Sequence, residues 1–225
     1  VSLRPDPATI RRLLVVGANL LVRTVSLVGT FTLATAVTAR IGTVQVAAHQ
    51  IASQTWFLLA MAMDAMAIAA QAMVGNLLGS GQAYEARRVG NRVIAWSIGI
   101  GLALGVVLVA GVTGAGDTVP GIFSADPAVI ALVGFLLLHV ATMAPLSGLA
   151  FALDGILIGA GDQRFLAQAM GASFAIFVPA AVIGHTMGAG IGWLWGAIWL
   201  FMTVRSALLF VRFRGTQWQV LGTAN

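Results

Sequence analysis

Six stretches of the chain are apolar for long enough to cross a bilayer. They run over about 10–39, 44–78, 92–114, 127–160, 165–184 and 188–211. Each reaches the roughly 20 helical residues that span ~30 Å of hydrocarbon. The pattern predicts an all-α fold, a polytopic membrane protein whose residues 1–225 form a single six-helix transmembrane bundle. The second and fourth stretches exceed one perpendicular crossing, so tilt, a kink or a protruding end has to absorb the excess. Pro145 and Pro179 predict kinks in the fourth and fifth helices, because proline lacks an N–H and clashes with the preceding turn. Asp126-Pro127 reads as the start of the fourth helix, a capping carboxylate followed by proline at the first helical position. Gly79-Ser80-Gly81 and Gly159-Ala160-Gly161 read as helix terminators rather than phosphate cradles.

Polar residues interrupt this pattern in a regular way. In the second span Gln50, Gln54, Asp64 and Gln71 alternate with Phe57, Met61 and Ile68 at steps of three and four. At 100° per residue they fall within an arc of about 100°. One stripe of that helix must therefore face protein or water rather than lipid. Asn19, Arg23, Ser26 and Thr30 share a stripe of the first span. Arg23 and Asp64 both lie about 20 Å from the same end of their helices. Adjacent antiparallel helices would bring them to one height, which predicts an Arg23–Asp64 pair or a shared polar cavity. An intramembrane carboxylate is either locked in a register-fixing pair or exchanges a proton or cation. Burial raises its pKa and a nearby guanidinium lowers it. Asp154, about 10 Å from the end of the fourth span, ranks below Asp64 because a shallow carboxylate can reach interfacial water. His139, at mid-depth on that span, is the side chain most able to switch near neutral pH. His49 sits toward the wetter end of the second span. Met61, Met63, Met66 and Met73 read as core packing.

Composition narrows the class. Of 225 residues, 59% are hydrophobic and 8% charged, which excludes a water-soluble globule and a disordered chain. The chain has no Cys, which removes thiol catalysis and Cys-ligated zinc. All basic residues are arginine and are scattered singly or in pairs, a pattern of loops flanking spans rather than a nucleic-acid patch. With the N-terminus in the cytoplasm, Arg4, Arg11, Arg12, Arg87, Arg88, Arg92, Arg164, Arg205, Arg212 and Arg214 fall at or near the inner face and only Arg40 outside. That asymmetry predicts a multi-pass cell (inner or plasma) membrane protein with both termini cytoplasmic. Asp117 and Asp126 belong to the longest outer loop. Trp193, Trp195 and Trp199 read as an aromatic belt. The 27 glycines allow close helix approach in a bilayer. No serine-protease elbow, His-Glu-x-x-His, P-loop or dinucleotide fingerprint is present, so no enzyme is expected.

Several segments, in order, carry a resemblance. They are Val46-Ala47-Ala48-His49-Gln50-Ile51, Met63-Asp64-Ala65-Met66-Ala67-Ile68-Ala69-Ala70-Gln71 and Val74-Gly75-Asn76-Leu77-Leu78-Gly79-Ser80-Gly81. Ile122-Phe123-Ser124-Ala125-Asp126-Pro127 and Leu153-Asp154-Gly155-Ile156-Leu157-Ile158-Gly159-Ala160-Gly161-Asp162 follow. Together they resemble the C-terminal half of a MATE (multidrug and toxic compound extrusion) transporter. Arg23-Thr24-Val25-Ser26-Leu27 points to the DNA-damage-inducible-protein-F-like branch. The resemblance implies one lobe of a two-lobe, twelve-span antiporter. Such a protein exports organic, often cationic, compounds in exchange for H⁺ or Na⁺ by alternating access. It implies no cofactor beyond the coupling ion. The implied partners are the lipid bilayer, small organic substrates, and a missing N-terminal six-helix half or a second bundle, with no nucleic acid. The first span lacks the coupling carboxylate that some members carry on the matching helix, so Asp64 and Asp154 rest on stripe and depth alone. The alternatives are a truncated, non-transporting module that pairs with another membrane protein, and a lipid-linked-oligosaccharide flippase-like protein, which would need several cationic residues at mid-depth.

Overall fold

The computed structural model describes residues 7–116 and 118–221. Arg4 and Asp117 lie outside the described residues, as does the side chain of Arg12. Seven helices are described: α1 (Pro7–Ile41), α2 (Thr43–Gly79), α3 (Ala83–Gly114), α4 (Thr118–Gly121), α5 (Pro127–Gly159), α6 (Gln163–Thr186) and α7 (Gly190–Arg214). Six of them are long and apolar enough to cross a membrane. α4 is a single turn in the loop after α3, which hydrophobic periodicity does not register. α3 begins earlier than the apolar run beginning near residue 92, because the polar segment Ala83–Asn91 extends the same helix beyond the hydrocarbon. α5 and α6 continue through Pro145 and Pro179.

Local chemistry sets the helix ends. The Asp126 carboxylate accepts the Ala128 N–H at 2.9 Å, ahead of Pro127 in the first turn of α5. α2 and α5 end on the same device. Gly81 and Gly161 take φ of +78° and +76°, where a Cβ would be strained. The following residues, Gln82 and Asp162, donate to Leu77 O at 2.8 Å and Leu157 O at 2.9 Å. These are Schellman closures, as the two Gly-x-Gly segments predict.

α5 is the hub, packed chiefly against α2 and α3 and also against α7. Glycines bring it within backbone distance of both neighbours. Gly155 and Gly159 lie under the carbonyl oxygens of Ala67 and Gln71 on α2. Further toward the start of α5, Gly101 and Gly105 of α3 lie under those of Ala144 and Ala141, and Gly148 under that of Ser97. Two Gly-x-x-x-Gly pairs, one on α5 and one on α3, thus seat α2 and α3 against successive stretches of α5.

The apolar core has two layers. One, toward the ends remote from most arginines, gathers Phe31, Trp56, Phe177, Trp195 and Phe201. The other, at the arginine-rich end, gathers Val74, Leu153, Ile156, Phe213 and Trp218. Arg87 closes this end. It donates to Phe213 O at 3.0 Å and to Gly215 O, and lies over the rings of Phe213 and Trp218. A cation thereby satisfies carbonyls that the end of α7 leaves open. Trp195 departs from the expected aromatic belt. It is fully buried, 5.9 Å edge-on from a buried His49, while only Trp193 keeps a belt-like half-exposed ring. Met61 and Met73 are likewise exposed rather than in the core.

Candidate functional site

A layer of charge separates the two apolar clusters. Asp154 follows Ala150 of the first cluster and adjoins Leu153 of the second, and Arg205 stands between Met202 and Leu209 on α7. The Oδ2 atom of Asp154 accepts from Arg23 Nη2 at 2.9 Å and from Arg205 Nη2. The Arg205 guanidinium also lies 5.6 Å from the Phe151 ring and directs Nη1 to the Met202 sulfur. Arg205 and Asp154 are sealed, whereas Arg23 leaves 24% of its side chain exposed. The triad carries a formal charge of +1. Three of its buried atoms, Asp154 Oδ1, Arg23 Nε and Arg205 Nε, have no hydrogen-bond partner. One carboxylate thus ties three helices, α1, α5 and α7, at one depth.

This corrects two expectations. Arg23 pairs with Asp154 and not with Asp64, and Asp154 is the better buried of the two acids. Asp154 meets Arg23 at one level, deeper than its distance from the end of the fourth span predicts, and Asp64 points away from both. Ala67 and Gly155 meet on parallel helices, three residues after Asp64 and one after Asp154, so the two acids differ in height by roughly 3 Å. α2 turns Met63, Ala67, Ala70 and Val74 into the bundle, however, which rotates Asp64 onto the open side. The α1 stripe points inward: Ser26 and Thr30 are buried and donate to the carbonyls of Val22 and Ser26 at 2.7 and 2.8 Å. Asn19, on the same helix, is half-buried.

Asp64, Gln50, Gln54 and Gln71 are all exposed, together with Phe57, Met61 and Ile68. Among the described residues Asp64 has no ion-pair partner. Crevices lie beside both ends of this stripe. One, of about 230 Å³, runs between α1 and α2 past Phe31, Thr35, Gln50, Ser53 and Phe57. The other, of about 500 Å³, runs between α2 and α5 past Gln71, Gly75, Asn76 and Ile158. His139 stays apart. Its Nδ1 lies 3.0 Å from its own helix's Phe135 carbonyl, and its ring packs edge-on against Phe135 at 4.4 Å. Asp162, at the end of α5, is held by Arg212 Nε at 2.6 Å.

Arg205 is the residue that sequence reasoning missed. Counting it with the arginines near the membrane surface overlooked its position two turns inside Arg212, with Leu208, Leu209, Phe210 and Val211 between them. The depth rule applied to Arg23 would have flagged it.

A helical bundle with six helices long and apolar enough to cross a membrane, a charged layer in its core and an amide-and-carboxylate stripe on its surface is that of a multi-pass membrane protein. The chain belongs to the MatE family, whose model matches residues 20–183. Protein DETOXIFICATION 43 of Arabidopsis thaliana is 35% identical over 84% of this chain and 35% of its own length. A probable multidrug resistance protein NorM of Bradyrhizobium diazoefficiens is 31% identical over 94% of this chain and 46% of its own. A MOP superfamily transporter from Pyrococcus furiosus shares the fold with a TM-score of 0.76 at 16% identity, over 85% of this chain and 42% of that one. The chain therefore spans less than half the length of these relatives.

Proposed function

We propose that the chain is one six-helix half of an efflux antiporter, corresponding to the C-terminal lobe, and that the exposed stripe of α2 is its wall of the substrate pathway. The observation that carries this reading is the alignment of Gln50, Gln54, Asp64 and Gln71 on one open face of a membrane helix. Lipid cannot satisfy these groups, and a hydrated cleft against a companion bundle can. In this reading Asp64 takes up the coupling H⁺ or Na⁺, and Gln50, Gln54 and Gln71 supply hydrogen bonds to organic substrates. Arg23, through its exposed portion, places the triad's positive charge at the cleft edge. Asp154 and Arg205 hold the three helices as a unit during rocking. Asn19 and His139 lie off this pathway. The protein sits in the cell membrane with its arginine-rich end cytoplasmic.

Coupling follows because ion and substrate can each shift an inward–outward equilibrium only by their differential affinity for its two states. The share of its relatives' length that the chain covers favours a second statement: alone, it transports nothing. The test is dye efflux driven by an H⁺ or Na⁺ gradient in proteoliposomes. The chain by itself is expected to give background flux, and the chain joined to a companion six-helix half a gradient-dependent flux. Asp64→Asn in the joined protein is expected to abolish gradient dependence with folding intact. Flux from the chain alone, or unchanged coupling in Asp64→Asn, overturns the respective claim.

A further inference from the structure

α3 presents a second organised face, pointing away from the bundle. Its buried residues Ala86, Gly90, Val93, Ile94, Ser97, Gly101 and Gly105 take one side. Arg88, Arg92, Trp96, Gly99 and Ala103 fall within an arc of about 80° on the opposite side. Along this arc chemistry changes with depth. Arg88 and Arg92 come first, then the 68% exposed indole of Trp96. An open apolar groove of about 530 Å³ follows, lined by Ala95, Trp96, Gly99, Ile100 and Ala103. Small residues at Gly99 and Ala103 make the groove, and a Cβ at Gly99 would meet nothing within 4 Å.

The charges on this face are unbalanced. Arg88 has an exposed partner in Glu85 at 3.5 Å, a pairing of little strength in water. Arg92 has no ion pair or side-chain hydrogen bond among the described residues, and neither has the Trp96 N–H. The rise from Arg92 to Trp96 is about 6 Å, and from Arg92 to Ala103 about 16 Å. That matches, in order, a phosphate, a glycerol ester region and the first part of an acyl chain. Indole sits naturally at the ester level of a bilayer. The α2 stripe offers the contrast, with amides and a carboxylate where this face has guanidinium, indole and a smooth groove.

We infer that the Arg88–Arg92–Trp96 face of α3 is a binding site for an anionic phospholipid. The two guanidiniums hold the headgroup phosphate, the Trp96 N–H reaches the ester region, and one acyl chain lies in the groove over Gly99 and Ala103. The site selects anionic over zwitterionic lipid, because a choline group would place a cation against Arg88 and Arg92. It anchors the helix that packs on the hub α5, on a face separate from the proposed pathway.

The test uses the full chain in phosphatidylcholine vesicles doped with brominated phosphatidylglycerol or brominated phosphatidylcholine at equal mole fraction. Quenching of Trp96, taken as the difference from Trp96→Phe, reports occupancy. Phosphatidylglycerol is expected to compete for the site at least about fivefold better, the preference of one arginine near an anionic surface. Arg88→Gln with Arg92→Gln should erase the preference, and the paired lysine substitutions should keep most of it. Both positions are exposed, so helix content by circular dichroism should not change. Arg164→Gln, another exposed arginine at the same end, should leave the preference intact. Equal quenching by both lipids, a preference surviving the double glutamine variant, or an equal loss in Arg164→Gln would overturn the site.

Discussion

Asp154→Asn is expected to be among the most damaging single substitutions in this chain, lowering stability by roughly 3–5 kcal/mol. The carboxylate is the sole anionic partner described for two guanidiniums, of which Arg205 is completely buried. Without its charge, two cations face each other in an apolar seam, and the Arg23 and Arg205 Nε atoms already lack partners there. Water cannot relieve the repulsion at Arg205, and a neutral amide accepts more weakly. Denaturant titration of the purified chain, followed by circular dichroism, measures the loss. The same repulsion can be removed by removing the charges. Replacing all three members with apolar residues of similar size should recover most of the stability, since a buried ionic cluster as a whole contributes little net stabilisation. Asp64→Asn, at nearly the same height but exposed, should shift stability by no more than about 0.5 kcal/mol. If Asp154→Asn and Asp64→Asn behave alike, the triad is not a structural tie.

The second large effect concerns backbone proximity. Gly155→Ala would drive a Cβ into the Ala67 carbonyl oxygen, a backbone atom that no rotamer change can move aside. The interface has to open, at an expected cost of about 2–3 kcal/mol, and Gly155→Leu should prevent close seating of α2 on α5 altogether. Gly196→Ala is the control. Nothing lies within 4 Å of its added Cβ. Helix propensity alone should then stabilise it by up to about 1 kcal/mol. The same titration checks both, and a Gly155→Ala protein as stable as its parent would show that the two helices are not in backbone contact.

The periodicity of this chain made its helices legible, because each span is long and three of the ends carry their own signal in Asp126, Gly81 and Gly161. The polar stripes were legible too, since a membrane helix has few reasons to place amides at steps of three and four. Azimuth was not. Hydropathy gives Arg23 and Asp64 similar depths and Asp154 a shallower one, whereas Asp154 is the acid that meets Arg23, and that choice depends on how the helices shift along and rotate about their axes. That rotation is set by the glycine contacts of α5 with α2, which tie residues far apart in the chain. Arg205 escaped for a related reason: positive-inside counting treats every arginine near a helix end as a surface charge. Trp195 and His49 were misjudged because aromatic and imidazole groups near a helix end suit both an interface and a core, and only tertiary packing separates the two.

A stripe of α2 that looks onto a wet pathway is open to water-soluble reagents. The absence of cysteine from the chain makes a direct measurement possible without background. Cysteines placed singly at Gln50, Gln54, Asp64 and Gln71 can be challenged with a water-soluble, membrane-impermeant maleimide in native membranes, alongside one at Val107 on the exposed apolar side of α3. In the protein joined to its companion half, the stripe positions are expected to react at rates at least about tenfold above Val107, with Asp64→Cys protected by an excess of transported dye. Stripe positions as unreactive as Val107 would mean that these side chains face lipid or sealed protein rather than a hydrated cleft.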